Sequence, residues 1–267
     1  MQVIIQPTTN QAINLVAYII AENLIRKPHL VLGLATGRTM VPLYNRLVEM
    51  HKKENLDFSL AVTFNLDEYI GIPPEHPGSY HYFMYHNLFK HINIDLRNTN
   101  IPNGMARDIS KECREYEEKI KDFGGIDLRL LSIGISGHIG FNEPLSSMFS
   151  RTREKALSPV TLEQNKHLFS NPAEMPKRAI TMGVGTILEA SKCIVLVTGR
   201  HKSKILAKSV EGPFSAMISA TSLQLHPDCI FVADEEAASE LTQKEYYQWI
   251  FENEPEWEFY RKKMTGR

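Results

Sequence analysis

The sequence predicts an α/β protein built on an open, mostly parallel, twisted sheet with helices on both faces. Three observations point there. Short apolar runs at 2–5, 30–34, 60–66, 128–133, 178–182, 193–197 and 229–232 have the length of buried strands. The segments between many of them repeat apolar residues at helical spacing, and strands that alternate with helices of this length imply parallel neighbours joined by crossovers. The run at 128–133 ends in the loop Gly134-Ile135-Ser136-Gly137-His138-Ile139-Gly140-Phe141-Asn142-Glu143-Pro144, and open α/β sheets carry their chemistry in loops at the carboxyl ends of strands. Together these give a Rossmann-like three-layer sandwich.

Taken in order, residues 2–5 form a strand. Ile13, Val16, Ala17, Ile20 and Leu24 then trace one helix face, with Thr9 or Asn10 available as its cap. The strand at 30–34 meets Ala35-Thr36-Gly37-Arg38-Thr39, and Met40, Leu43, Tyr44, Leu47 and Met50 return to helical spacing. The strand at 60–66 ends at Asp67-Glu68-Tyr69, followed by a loop whose Pro73, Pro74, Pro77 and Gly78 exclude regular structure. Ser79 caps an aromatic helix reaching about His91. A charged helix over 108–122 stops at Gly124-Gly125. No composition shift marks a linker, so residues 1–267 read as a single domain with a peripheral tail from about 244, rich in charge and aromatics.

With 30 basic and 31 acidic residues the formal charge is −1, so no global field draws the chain to nucleic acid or anionic lipid. Any bound anion is held locally. Cys113, Cys193 and Cys229 are odd in number and form no C-x-x-C pair, as expected of reduced structural thiols. The N-terminus lacks a basic leader, and Asn14, Glu22 and Asn23 interrupt the first apolar helix. The expectation is a soluble cytoplasmic protein.

Three loops can carry chemistry. At 35–39, a strand-to-helix turn exposes unpaired N–H groups at the positive end of a helix dipole. The hydroxyls of Thr36 and Thr39 and the charge of Arg38 either complete an anion cradle there or serve only turn and cap. At 65–69, a carboxylate at a strand end acts as a base toward a carbon acid, or Asp67 or Glu68 caps the next turn. In the third loop the glycines allow close backbone approach, and His138 either serves as an acid–base group supported by Glu143 or is structural. His138 and Glu143 stand five apart with no H-E-x-x-H helix or cysteine cluster, so no metal is expected. His76, His81, His86 and His91 recur every five residues, which rotates each away from the last on a helix.

With these loops in this order, the chain resembles the glucosamine-6-phosphate deaminase (isomerase) family, in the superfamily shared with the 6-phosphogluconolactonases. The motifs are Leu32-Gly33-Leu34-Ala35-Thr36-Gly37, Phe64-Asn65-Leu66-Asp67-Glu68-Tyr69, Gly137-His138-Ile139-Gly140-Phe141-Asn142-Glu143-Pro144 and Ser150-Arg151-Thr152-Arg153. The Phe-Asn-Glu-Pro ending favours the deaminase branch. The resemblance implies cofactor-free and metal-free conversion of an amino-sugar phosphate to fructose 6-phosphate and ammonia through an enolamine. By position it makes Asp67 the base that moves a proton from C2 to C1, His138 the ring-opening group and Glu143 its support. The phosphate falls to Thr36, Gly37, Arg38, Thr39 and Lys202.

The chain departs from the family pattern at several of these places. Ser136 stands where an Asp or Asn is usual, and brings no negative charge to the ring-opening site. His167 stands where an arginine is usual, while Arg38 replaces a small residue. An effector site for an N-acetylated sugar phosphate would use Ser146, Ser147, Arg153 and Lys155, with Ala156 in place of a hydroxyl. Two other readings follow from these departures and from the superfamily: a sugar-phosphate-binding protein with weak or lost turnover, and a lactone hydrolase that uses His138 but not Asp67. Subunit number and gluco or galacto preference are not encoded in the motifs.

Overall fold

The computed structural model describes residues 1–169, 171 and 174–265. β1 (Gln2–Gln6) leads into α1 (Thr9–Arg26) and β2 (Val31–Leu34) into α2 (Met40–Glu54). β3 (Val62–Asn65) is followed by the short β4 (Asp67–Tyr69) and α3 (Tyr80–Asn87). The two-residue β5 (Thr99–Asn100), α4 (Ile109–Asp122) and β6 (Leu128–Leu131) come next. β7 (Arg153–Ala156), α5 (Pro159–Asn165), β8 (Arg178–Thr181), α6 (Val184–Leu188) and β9 (Lys192–Val197) continue the chain. α7 (Ser203–Val210), β10 (Cys229–Asp234), α8 (Lys244–Asn253) and α9 (Glu258–Thr265) complete it.

Seven strands form one sheet in the order β1-β10-β9-β6-β2-β3-β5, and all neighbours are parallel. The expected α/β architecture is therefore present. The strand order reverses between β2 and β6: from β2 the chain steps outward to β3 and β5, and from β6 it steps the other way to β9 and β10. Loops leaving β2 and β6 diverge, and a crevice opens above the carboxyl ends of these two strands.

The run at 178–182 departs from the parallel expectation. β8 pairs antiparallel with β4 on one side and β7 on the other, in a separate three-stranded sheet. Sequence patterning hid this sheet because β7 contributes Arg153, Glu154 and Lys155, a partly solvated strand without an apolar run. Smaller differences have local causes. Thr8, not Thr9 or Asn10, caps α1, its hydroxyl accepting the Gln11 N–H at 3.2 Å. The strand expected over 60–66 is confined to Val62–Asn65, because Ala61 N–H turns back to the Phe58 carbonyl at 3.0 Å. The aromatic helix ends at Asn87, where Leu88 leaves helical geometry at φ −137°, and one 3-10 turn carries the chain on to His91.

The tail from Lys244 is more integral than its composition suggests. α8 packs against the edge strand β1, and the Gln2 amide donates to Glu254 Oε2 at 3.1 Å. Trp257, only 2% exposed, joins the main core between Phe251 and Tyr260, with ring centroids 5.5 and 5.7 Å away. Among the described residues no helix is long and apolar enough to cross a membrane. Removing the Trp257 indole leaves a cavity under both terminal helices, so Trp257→Ala is expected to lower stability by about 3–5 kcal/mol, read from the shift in urea unfolding midpoint.

Candidate active site

A cavity of about 620 Å³ occupies the crevice. Its wall comes from four strand ends: Thr36 to Thr39 after β2, Leu66 and Asp67 after β3, Ser132, Gly134 and His138 after β6, and Lys202 after β9. Thr161, Gln164 and Asn165 of α5 close the remaining side with His167. The sequence-derived candidates Asp67, His138, Lys202, Thr36, Gly37, Arg38, Thr39 and His167 thus line a single space.

The pair Asp67-Glu68 divides its labour. Glu68 is consumed by the scaffold: it accepts the N–H groups of Tyr69 (2.8 Å), Tyr80 (3.0 Å) and His81 (3.0 Å) and the Ser79 hydroxyl (2.8 Å), with His81 Nδ1 at 2.9 Å. It therefore fastens the start of α3. Asp67, 6% exposed, has no hydrogen bond to its carboxylate among the described residues. Burial first, and then the negative charge of Glu68, raise its pKa to about 8, with Arg129 pulling the other way. A desolvated carboxyl at the cavity wall is a far stronger base, once ionised, than the same group in water.

His138 sits between two oxygen partners on its Nδ1 side. Ser136 Oγ lies 2.8 Å from Nδ1, and Glu143 Oε2 lies at the longer ion-pair distance of 3.4 Å. The far oxygen of Glu143 accepts the hydroxyls of Ser158 (2.9 Å) and Thr161. Burial would raise the Glu143 pKa, but the adjacent His138 and the Thr161 and Ser158 hydroxyls outweigh it and hold the carboxyl down to about 2. Neither Ser136 nor Glu143 lines the cavity; both act on the imidazole from behind. Nε2 is pressed against Gly134, where any Cβ would fall 2.2 Å from it. The ring therefore has one seat, and glycine at 134 defines it.

The opposite end suits an anion. Lys202, 8% exposed, donates to Ser132 Oγ (3.0 Å) and Thr39 Oγ1 (3.3 Å) and has no carboxylate within ion-pair distance among the described residues. Burial lowers its pKa to about 8. Gly37, at φ +111°, makes the turn that brings the start of the 15-residue α2 to the same wall. A helix N-terminus, two hydroxyls and an ammonium without an ion-pair partner among the described residues meet there, a combination whose chemistry suits an anion. Arg38 and His167 are exposed at the rim, and His167 Nδ1 lies 2.8 Å from the Gln164 carbonyl.

The four effector candidates lie off this cavity. Ser146 is buried and accepts from Arg153 at 3.3 Å, whereas Ser147 is exposed and Lys155 half-buried. The neighbouring Arg151 is structural, clamped between Glu117 and Glu189. Sequence reasoning missed Ser158 and Thr161, which reach Glu143 from α5 and its cap, and Gln164 and Asn165, which line the cavity. Only the polar face of a short helix could have signalled them. It also missed Arg129, a charged residue inside an otherwise apolar strand, which was visible as an anomaly.

A family model described as glucosamine-6-phosphate isomerases/6-phosphogluconolactonase matches residues 6–226. The glucosamine-6-phosphate deaminase of Thermoanaerobacter pseudethanolicus is 48% identical over 239 residues, covering 90% of this chain and 94% of that protein. That of Clostridium botulinum is 46% identical over 244 residues, covering 91% and 100%. Among solved structures, a monomeric glucosamine-6-phosphate deaminase superposes with a TM-score of 0.88 at 40% identity, over 90% of this chain and 100% of that one. A 6-phosphogluconolactonase from Trypanosoma cruzi reaches 0.71 at 20% identity over 90% and 97%, a likeness of fold.

The raised pKa of Asp67 links the site to stability. Its folded-state pKa of about 8 stands above the unfolded value of 3.8, so its proton contributes stability fully below pH 4 that is lost as pH rises toward 8. Asp67→Asn is therefore expected to match the parent in thermal unfolding near pH 4 and to exceed it above pH 8, by on the order of 1–2 kcal/mol. Equal melting temperatures at both pH values would contradict the assignment.

Proposed function

The chain belongs to the glucosamine-6-phosphate deaminase family, within the superfamily shared with the 6-phosphogluconolactonases, and on that premise we propose that it converts glucosamine 6-phosphate to fructose 6-phosphate and ammonia in the cavity above β2 and β6. The observation that carries this reading is the shared cavity: a hydrogen-bond-free buried carboxyl, a supported imidazole and a phosphate cradle line one space of hexose-phosphate size.

In this reading the sugar phosphate docks on Lys202, Thr39 and the start of α2, with Thr36, Gly37 and Arg38 completing the turn around it. His138, aligned through Nδ1, exchanges a proton between ring oxygen and anomeric hydroxyl, and the pyranose opens to the aldehyde. Ionised Asp67 removes the C2 proton to give the enolamine and returns it to C1. The resulting C2 imine takes up water and expels ammonia, so one water is consumed and one ammonia released. Proton removal from carbon demands a strong base close to the C–H bond, and the environment of Asp67 supplies the base strength. Ser136 offers His138 a neutral hydrogen bond, leaving Glu143 as the carboxylate that supports its charged form. Ser136 and Glu143 hold the imidazole in advance, while Asp67 is carried by the β4–β8 pair.

Ammonia release from glucosamine 6-phosphate, followed with a coupled assay, tests the reading directly. Asp67→Asn is expected to reduce kcat by about 10²–10⁴-fold; retained turnover in that variant, or lactone hydrolysis without ammonia, would replace it. Lys202→Met is expected to raise KM for the sugar phosphate by roughly 10–100-fold, the loss of a charge-assisted contact, with a smaller effect on kcat.

A further inference from the structure

Arg129 is the least expected residue in the molecule. It stands in the central strand β6, it is 0% exposed, and its neighbours Leu128, Leu130 and Leu131 are the apolar residues a buried strand requires. In the parallel register Arg129 pairs with Gly33 of β2 on one side and Cys193 of β9 on the other, and Gly33 in turn pairs with Phe64 of β3. Gly33 leaves the space that the long side chain needs. A Cβ there would fall 2.2 Å from Arg129 Cζ and 2.3 Å from Nε, so the guanidinium crosses over β2 toward β3.

At the end of that reach, Nη1 donates to the Phe64 carbonyl at 3.0 Å, Nη2 meets the Met182 sulfur at 2.9 Å, and Nε finds no partner among the described residues. A thioether is a weak acceptor, and no carboxylate lies within ion-pair distance of Arg129 among the described residues. Leaving a guanidinium this poorly compensated is costly unless a charge nearby offsets it. The groups that interact with it through space are Tyr116, Cys193, Asp67 and Tyr44, and of these Asp67 alone is a carboxyl. Position explains the coupling. Phe64 lies three residues before Asp67, and Met182 follows Thr181, the residue opposite Asp67 in the β4–β8 pair. The guanidinium is clamped onto the two chain segments that present Asp67 to the cavity, and it does not itself join the cavity wall.

We propose that Arg129 is the internal counter-charge of Asp67, a positioning residue that stabilises the ionised form of the base from behind without touching the substrate. This deepens the reading of Asp67 as the base and rests on it. The titratable groups near enough to Asp67 to interact with it are Glu68 and Tyr69 on its own strand, Tyr80 from α3, Tyr116 from α4 and Arg129 from β6; His138 and Lys202 share its cavity. Glu68 is tied up by its hydrogen bonds and opposes ionisation. Arg129 is the cation on the buried side, and it holds the Asp67 pKa below the value that burial and Glu68 together would impose.

The test compares Arg129→Met, which keeps length and removes charge, with Arg129→Lys, which keeps charge. For ammonia release, Arg129→Met is expected to move the acid limb of kcat/KM upward by about one unit and to lower kcat near pH 7 by about tenfold, with KM for glucosamine 6-phosphate little changed. Arg129→Lys is expected to restore the limb to within half a unit. Carbon-13 NMR titration of the Asp67 carboxyl in the unliganded proteins, assigned with Asp67→Asn, gives the same comparison without turnover. It separates failure of this proposal from failure of the deaminase reading. A folded Arg129→Met protein with an unmoved carboxyl titration overturns the proposal. Should the neutral variant not fold, Arg129→Lys carries the test alone: a titration like the parent's supports the counter-charge, and a displacement above one unit overturns it.

Discussion

Leu66 is the joint on which the site depends. Its N–H donates to the Leu34 carbonyl at 3.1 Å, the last rung of the parallel sheet at that edge, and its own carbonyl accepts from Met182 N–H at 2.8 Å, the first link to the small antiparallel sheet. One residue between β3 and β4 is therefore hydrogen-bonded to both sheets, and the next is Asp67. Opposite Asp67 stands Thr181, whose hydroxyl accepts the Phe141 N–H at 3.0 Å and so draws the loop at 134–144 onto the same point. The spacing between Asp67 and the His138 loop is thus set by the β4–β8 pairing and by one buried hydroxyl carried on a strand, which hold position more firmly than groups on flexible loops.

Buried charge is distributed in two different ways. Glu117 accepts both Thr152 groups and the Thr186 hydroxyl and pairs with Arg151, and Glu68 is similarly saturated; both fasten chain segments together. Asp67 and Lys202 are buried with incomplete partners among the described residues, and both line the crevice. Saturated ions belong to the scaffold, whereas incompletely partnered ones keep an interaction in reserve for something that arrives. The large apolar core, continuous from Ile4 to Trp257, supplies the stability that this arrangement consumes.

Much of this was legible in the sequence, for identifiable reasons. Runs such as Cys229-Ile230-Phe231-Val232 can only be buried strands, and the separate glycine, histidine and aspartate motifs sit at strand ends where the sheet must gather them. The small sheet was illegible because pairing between β7 and β8 depends on register, which a run of Arg153, Glu154 and Lys155 does not announce. The alternative between Asp67 and Glu68 as helix fastener needed coordinates: adjacent acids point to opposite faces of a strand, and sequence does not say which face is the cavity. Ser158 and Thr161 were missed because a hydroxyl on a short polar helix looks the same whether it meets water or Glu143.

The grip of Ser158 and Thr161 on Glu143 has a mechanical consequence. The helix that lines the cavity with Gln164 and Asn165 is anchored, through one carboxylate, to the imidazole of His138. Helix and ring therefore share one fixed point in the Glu143 side chain. A displacement of α5 would pull on the same carboxylate that flanks the ring, so the fit of anything seated against the helix would be felt in the alignment of the imidazole.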